Sequence, residues 1–575
     1  MKGSVARVLA AALILTQCVA IASATEGQPG RPMGVDAKEL RYGTAQQAGL
    51  LPEWIDRVDE EVEAGLQPSP EKPLYPGAVV VAGRNGVIAK HAAYGYAYKY
   101  SDDAPTLLPE AERVPMGKET IFDLASVSKL FTSTAVMQLV EEGDIDLWET
   151  VASYIPAFGR NGKDSITVEM LLTHTSGLAA WLPLYRDYPT PPERIGAIYD
   201  STPTYPPGTD YVYSDLGMIV LGELVETVSG EPLDEYVHTH ITEPLGMTDT
   251  GYNPEPSQHD RIAATEYQPW TSRGMIRGSV HDENAWSLGG VAGHAGVFGT
   301  GHDLAVLAQT FLNGGRYGRA RILDRASVEQ MMTNYNTAFP GNDHGLGFEL
   351  YQHWYMDAMA TPTTAGHTGF TGTSMVLNPV DDTFAILLTN RVHPSREWGT
   401  INPRRRALAR FVGRAVPVHP VAGRDAWFAD IGDELDNTLD VPLMLPTGPK
   451  RLKLELWYDT EPASDFATVS ASGDGGATWN RLEGVLRARG EEPAVTDGTV
   501  SGWSEREWLN ATFPLDDLNG PVTLRFQYLT DALYGGRGVY VDDVRIKSLR
   551  GVLFDDSRRR DRDAFVPDGW LPSRN

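Results

Sequence analysis

Apolar positions spaced by three and four run through LPEWIDRVDEEVEAGL, residues 51–66, and predict helix within the polar stretch from about Asp36 to Pro70. The period then changes. YPGAVVVAGRNGVIAKHAAYGYAY, residues 75–98, holds two strand-like runs around Arg84-Asn85-Gly86, the signature of a hairpin. SVSKLFTSTAVMQLVEEG, residues 126–143, returns to helical spacing, with Leu130, Phe131, Val136, Leu139 and Val140 on one stripe and Gly143 as the stop. GHTGFTGTSMVLNP at 366–379 and DDTFAILLTN at 381–390 read as two more antiparallel strands, and NPRRRALARFVGRAV as a closing helix. Strands at both ends with helices between them predict an α+β domain, its sheet completed by both ends of the segment, over residues 36–415.

Around PVHPVAGRDAW the helical pattern stops, which predicts a linker over 416–447. From Lys450 to Lys547 apolar and polar residues alternate between Gly-rich turns, as in RLKLELWYDT and VTLRFQYL, and predict an all-β sandwich over 448–550. The charged stretch 551–575 reads as a loosely ordered tail.

A chain of 575 residues is too long for one ordinary core, in keeping with this division. Its start, MKGSVARVLAAALILTQCVAIASA, joins basic Lys2 and Arg7 to a short apolar run and an Ala22-Ser23-Ala24 end. That predicts a signal peptide over residues 1–24 and a secreted or periplasmic address. The alternative is a lipoprotein anchored through Cys18, against which the Gln17 before it speaks. Cys18 is the only cysteine, so a mature chain would carry neither disulfide nor cysteine-bound metal. A net charge of −27 argues against nucleic acid and anionic membranes as partners.

The chemistry starts at FDLASVSKLF, residues 122–131. Residues three apart share a helix face, so Ser126 and Lys129 can touch. A serine hydroxyl needs a base to become a nucleophile, and a lysine serves as one only when desolvation or neighbouring charge lowers its pKa. A helix N-terminus pushes in that direction and offers free N–H groups to an oxyanion.

FDLASVSKLFT resembles the nucleophile segment of the serine β-lactamase and penicillin-binding protein superfamily, in particular its class C branch with its esterases and D-amino-acid peptidases. ITVEMLLTHTSGL, PPGTDYVYSDLGMIVLGELVE, EPLGMTDTGY and HTGFTGTS follow in the family's order, over roughly residues 40–415. The resemblance implies a β-lactamase/transpeptidase-like fold, an antiparallel sheet flanked by helices with an all-helical subdomain. It implies Ser126 as nucleophile, Lys129 as its activating partner, Tyr213 as general base or acid, and the N–H groups of Ser126 and Phe370 as oxyanion hole. Asp215, His367, Thr368 and Gly369 fall on the family's substrate-binding positions.

Two departures stand out. Asp215 replaces the usual amide, and a carboxylate there would hold Lys129 charged and leave Tyr213 as the main proton carrier. His367 replaces a lysine that helps bind a substrate carboxylate, and no lysine occurs between Lys163 and Lys450. The bulky Phe370 also narrows the strand side of the pocket. Together these favour an esterase or a D-Ala-D-Ala carboxypeptidase over an efficient β-lactamase. The alternative from another class is an adhesion protein that has lost turnover, against which the intact Ser126, Lys129 and Tyr213 speak. The substrate would be a small ester or a peptidoglycan-type peptide, and catalysis would need no cofactor.

The Gly-rich segment 278–300 reads either as a wall beside the pocket or as a buried turn, and His174 as a structural histidine that holds a loop. His238 and His240 lie two apart on a helical stretch and so do not make a metal pair. YDTEPASDFATVSASGDGGATWNRL followed by GRGVYVDDVRI resembles jelly-roll modules attached to secreted bacterial peptidases. That likeness implies calcium held by Glu461, Asp465 and Asp543, with ordinary surface acidity as the alternative. The module's aromatics offer a surface to a glycan or protein ligand or, as Trp457, Trp479 and Trp508 equally could, fill its core.

Overall fold

Asn85 and Gly86 both take positive φ, 55° and 77°, the geometry of a two-residue hairpin turn. They close strand β1 (Gly77–Arg84) onto β2 (Val87–Tyr98). The structure is a computed structural model that describes residues 37–68 and 71–575. The expected signal peptide and Cys18 lie outside the described residues. Strands β3 (Ala365–Thr368), β4 (Thr373–Asn378) and β5 (Thr383–Thr389) complete an antiparallel sheet in the order β2-β1-β5-β4-β3. The two halves of the segment therefore meet where β5 pairs with β1, Ile386 opposite Val81.

Alternation along β1 sends its two faces to two cores. Val79 and Val81 join helices α1 (Ser128–Glu142), α2 (Asp215–Ser229) and α3 (Gly301–Leu312), while Ala78, Val80 and Ala82 pack with α4 (Asn402–Arg414). α1 departs from the one-sided stripe read from its sequence: residues 128–139 are buried all round. Its polar groups are satisfied inside, Thr134 by Leu130 O at 2.7 Å and Thr132 by Gly293 O at 2.8 Å. Gly293 is required there, because a Cβ would stand 2.0 Å from Met218 O of α2. The segment from Asp36 to Pro70 breaks into three short helices, the longest Arg57–Gly65.

The second half is a sandwich of an eight-stranded and a six-stranded sheet. Strand β6 (Asp436–Leu445) lies within the span expected as a linker. β7 (Lys450–Asp459), β8 (Phe466–Ser472), β9 (Leu509–Pro514), β10 (Gly520–Leu529) and β11 (Gly538–Ser548) follow. β9-β7-β11 are neighbours in one sheet and β8-β10-β6 in the other. The expected loose tail is likewise corrected: Gly551–Asp555 pairs with β11, Val566–Asp568 with β6, and Leu571–Ser573 with Ala426–Phe428. Phe565 and Trp570 anchor it, the first 5.2 Å from the ring of Trp427. Charge in DSRRRDRD hid these few apolar anchors from a pattern reading.

The sandwich is clamped to the α+β half by buried arginines. Arg506 bonds Asp381 in the β4–β5 turn, Ala358 O at 2.8 Å and Asp459 at 2.9 Å, and Arg537 donates to Val416 O at 2.6 Å. Among the described residues no helix is long and apolar enough to cross a membrane.

Candidate active site

Ser126 sits on a strained turn. Ala125 before it has φ 48°, costly for a residue with a Cβ. The turn is held by Asp123, whose two carboxylate oxygens accept the N–H groups of Ala125 at 2.8 Å and His281 at 2.6 Å. From the other side Thr371 and Thr373 hydroxyls donate to the carbonyls of Asp123 and Leu124 at 2.7 and 2.9 Å. Gly369 makes this approach achievable, since a Cβ there would stand 2.0 Å from Thr373 Oγ1 and 2.4 Å from Leu124 O. The N–H groups of Ser126 and Phe370 make no backbone hydrogen bond among the described residues.

Lys129, one helical turn on, is fully buried. Its ammonium donates to Ser126 Oγ at 2.9 Å and to His294 O at 3.1 Å, and lies 2.8 Å from Asp215 Oδ1, an ion pair off the ideal hydrogen-bond line. It also stands 4.8 Å from the centre of the Tyr213 ring. Burial alone would lower its pKa, but Asp215 and Tyr213 outweigh burial and hold it above the ordinary lysine range. Asp215, expected among substrate-binding residues, is turned onto Lys129 instead, and does not line the cleft.

Tyr213 approaches both Lys129 and Ser126 through its hydroxyl. Burial raises its pKa to about 12 against the opposing pull of Lys129. Its position follows from Ser214, which caps α2 and donates to Ala179 O at 2.7 Å. His174 accepts the Ser214 N–H on Nδ1 at 3.1 Å, the loop-holding part expected of it. Burial pushes His174 well below the ordinary histidine range, so it is neutral.

His367 is also corrected. It is 1 % exposed and bonds Thr368 O through Nδ1 at 2.8 Å, with its ring 6.1 Å from Tyr213, behind the cleft rather than on its wall. Burial, then the charge of Lys129, pushes its pKa far down, so it carries no charge for a substrate.

A cleft of about 740 Å³ opens over Ser126, lined by Tyr213, Thr368, Gly369 and Phe370 of the expected residues. Its cations are three arginines that sequence reasoning missed. Arg391 donates to Phe370 O at 2.8 Å and covers the Phe370 ring at 4.7 Å. Arg396 is held by Glu266 at 2.6 Å and Glu283 at 2.7 Å. Arg405, from α4, donates to Gly369 O at 2.5 Å and Thr373 O at 2.9 Å. The only sequence signal for them was the run of arginines after β5. Two carboxylates, Glu349 and Glu397, share the wall with Tyr211, Trp354 and Asn402, and burial pushes the Glu349 pKa up to about 7. The Gly-rich segment proves to be scaffold: His294 supplies the carbonyl for Lys129, and His281 stacks beneath Phe370 at 5.6 Å.

In the sandwich, ligand atoms of Glu461, Asp465 and Asp531 lie within 4.8 Å of one another. Asp543, expected as the third, sits on β11 and pairs with Arg545 at 2.5 Å. Burial, with the neighbouring carboxylates adding to it, raises Glu461 to about 7 and Asp465 to about 6. Three crowded oxygen donors fit a hard cation such as calcium.

Residues 62–410 match the family described as Beta-lactamase, and residues 412–572 the Immune inhibitor A-like, MAM domain. A Salmonella typhi protein named "Putative D-alanyl-D-alanine carboxypeptidase" is 33% identical over 411 residues, 64% of this chain and 90% of the relative. Among solved structures, a penicillin-binding protein homologue from Caulobacter crescentus is 21% identical, covers 63% of this chain and 97% of its own, and superposes with a TM-score of 0.50. A class C β-lactamase, 18% identical over 64% of this chain and 98% of its own, gives the same score and the same fold. The chain is thus a member of the β-lactamase family, within the superfamily of serine β-lactamases and penicillin-binding proteins, and a serine hydrolase.

Proposed function

We propose that this protein is an exported D-alanyl-D-alanine-type carboxypeptidase that works through an acyl-enzyme on Ser126. The observation that carries the reading is the set of Arg391, Arg396 and Arg405 on the wall of the Ser126 cleft, which suits a peptide ending in a free carboxylate. The name of the Salmonella typhi relative supports it.

The ion pair with Asp215 keeps Lys129 an ammonium, so it donates to Ser126 Oγ rather than taking its proton. Tyr213, neutral at physiological pH, works as a relay. Ser126 Oγ attacks the peptide carbonyl while its proton passes to the Tyr213 oxygen, and the phenolic proton passes to the leaving amine. Lys129 stabilises the phenolate character that builds up in transit. The N–H groups of Ser126 and Phe370 hold the oxyanion. Water then attacks the acyl-enzyme, and Tyr213 relays its proton back to Ser126.

The test is hydrolysis of an acyl-D-Ala-D-Ala peptide, with intact mass recorded after incubation with a fluorescent penicillin. Release of D-alanine and an adduct on Ser126, both lost in Ser126→Ala, are expected. Turnover of p-nitrophenyl acetate with neither would replace the peptidase by an esterase.

A further inference from the structure

The outer face of the sandwich carries an island of positive charge. Although the chain bears a net charge of −27, Arg451, Lys453 and Lys547 line one hollow of about 430 Å³, beside a buried Lys450 whose ammonium donates to Gly448 O at 2.9 Å. Three of the chain's eleven lysines are gathered there. The alternation of β7 fixes the arrangement: Leu452 and Leu454 point into the core, so Arg451 and Lys453 point out.

The pairing register then opposes like charges. Arg451 faces Lys547 directly across β7 and β11, and Lys453 faces Arg545. Directly opposed like charges destabilise a sheet. Arg545 is relieved by Asp543 at 2.5 Å and Asp555 at 3.7 Å. Among the described residues, Arg451, Lys453 and Lys547 have no ion-pair partner. Asp516, the one carboxylate on the lining, has Oδ1 engaged by the Lys450 N–H at 2.9 Å.

We propose that this hollow binds an anionic polysaccharide, through carboxylate or phosphate groups on its sugars. A cluster of cations kept against mutual repulsion is satisfied by an external anion. No aromatic side chain lines the hollow, so neither base stacking nor neutral-sugar stacking is offered, and recognition rests on charge. A planar anionic bilayer cannot enter a concave site and would meet the acidic remainder of the surface.

The test uses the full mature chain and affinity electrophoresis in gels containing polygalacturonate, phosphorylated mannan or neutral dextran at low salt, beside the triple variant Arg451→Gln, Lys453→Gln, Lys547→Gln. The wild type is expected to be retarded by at least one of the two polyanions and not by dextran, and whichever polymer retards it names the group. The triple variant should bind roughly tenfold or more weakly, the combined effect of three exposed charge contacts. It should also melt at the same or a higher temperature, because the repulsion is gone. Equal retardation of the variant, or no retardation of the wild type by either polyanion, would overturn the proposal. Arg481→Gln, remote from the hollow and paired with Asp497, is the control that should bind as the wild type does.

Discussion

Lys129 Nζ and Asp215 Oδ1 are 2.8 Å apart, and in the mechanism proposed above that pair leaves Tyr213 as the proton carrier. Asp215→Asn would leave the buried ammonium without its counter-ion, so burial would prevail and the lysine pKa would fall. The alkaline limb of kcat/KM should move down by about one pH unit or more, while Asp215→Glu keeps it near its original position. A limb that stays in place in Asp215→Asn would show that Tyr213 alone sets the charge.

Tyr213→Phe retains the ring beside Lys129 and removes only the hydroxyl proposed as the relay. kcat should fall by about 10²- to 10⁴-fold with KM little altered, and pre-steady-state traces should show both acylation and deacylation slowed. Loss confined to one half-reaction would require a second proton carrier, for which Glu349 on the cleft wall is the first residue to replace.

The arginine wall makes a prediction about substrates. Arg391→Gln should raise KM about tenfold for a peptide with a free terminal carboxylate, from the loss of about 1.5 kcal/mol of charged hydrogen bonding. The methyl ester of the same peptide should be nearly unaffected. Equal effects on acid and ester would remove carboxylate recognition from Arg391.

Calcium should stabilise the sandwich in a pH-dependent way. Glu461 and Asp465 are raised to about 7 and 6, above their unfolded values, so the metal-free fold holds extra protons and loses stability as pH rises from about 4 through 7. A cation removes that penalty. The gain in Tm on adding calcium should therefore be larger at pH 7.5 than at pH 5, and Asp531→Asn should reduce it. A gain independent of pH would place the ion elsewhere.

The sequence carried the local chemistry and lost what depends on distant pairing. Ser126 and Lys129 are three residues apart on one helix, so their contact is legible in a single turn. Asp531 and Asp543 both lie far along the chain from Asp465, 66 and 78 residues on, and no spacing rule tells which of them returns to it. Only the pairing of Phe466 with Leu529 across β8 and β10 brings Asp531 back, with the Asp531 N–H donating to Asp465 at 3.1 Å. His367 was read by residue type as a partial cation, and its environment makes it neutral. The arginines that carry the cleft's charge come from beyond β5 and from α4, where no spacing rule joins them to Ser126. In the tail, Phe565 and Trp570 were too few among charges to register as strand anchors.

Arg506 gives the two halves a relationship that cutting the chain between them would expose. Appended modules are commonly treated as interchangeable cargo, joined by a tether that tolerates exchange. Here severing the chain after α4 would strip Asp381 of Arg506 and Arg537 and uncover it on the β4–β5 turn, with Arg84 as its remaining nearby cation. The isolated β-lactamase-like half should therefore be less stable than its own core suggests. The sandwich behaves as a keystone, and a chimera carrying a foreign module would need a replacement for Arg506 before it could be expected to stand.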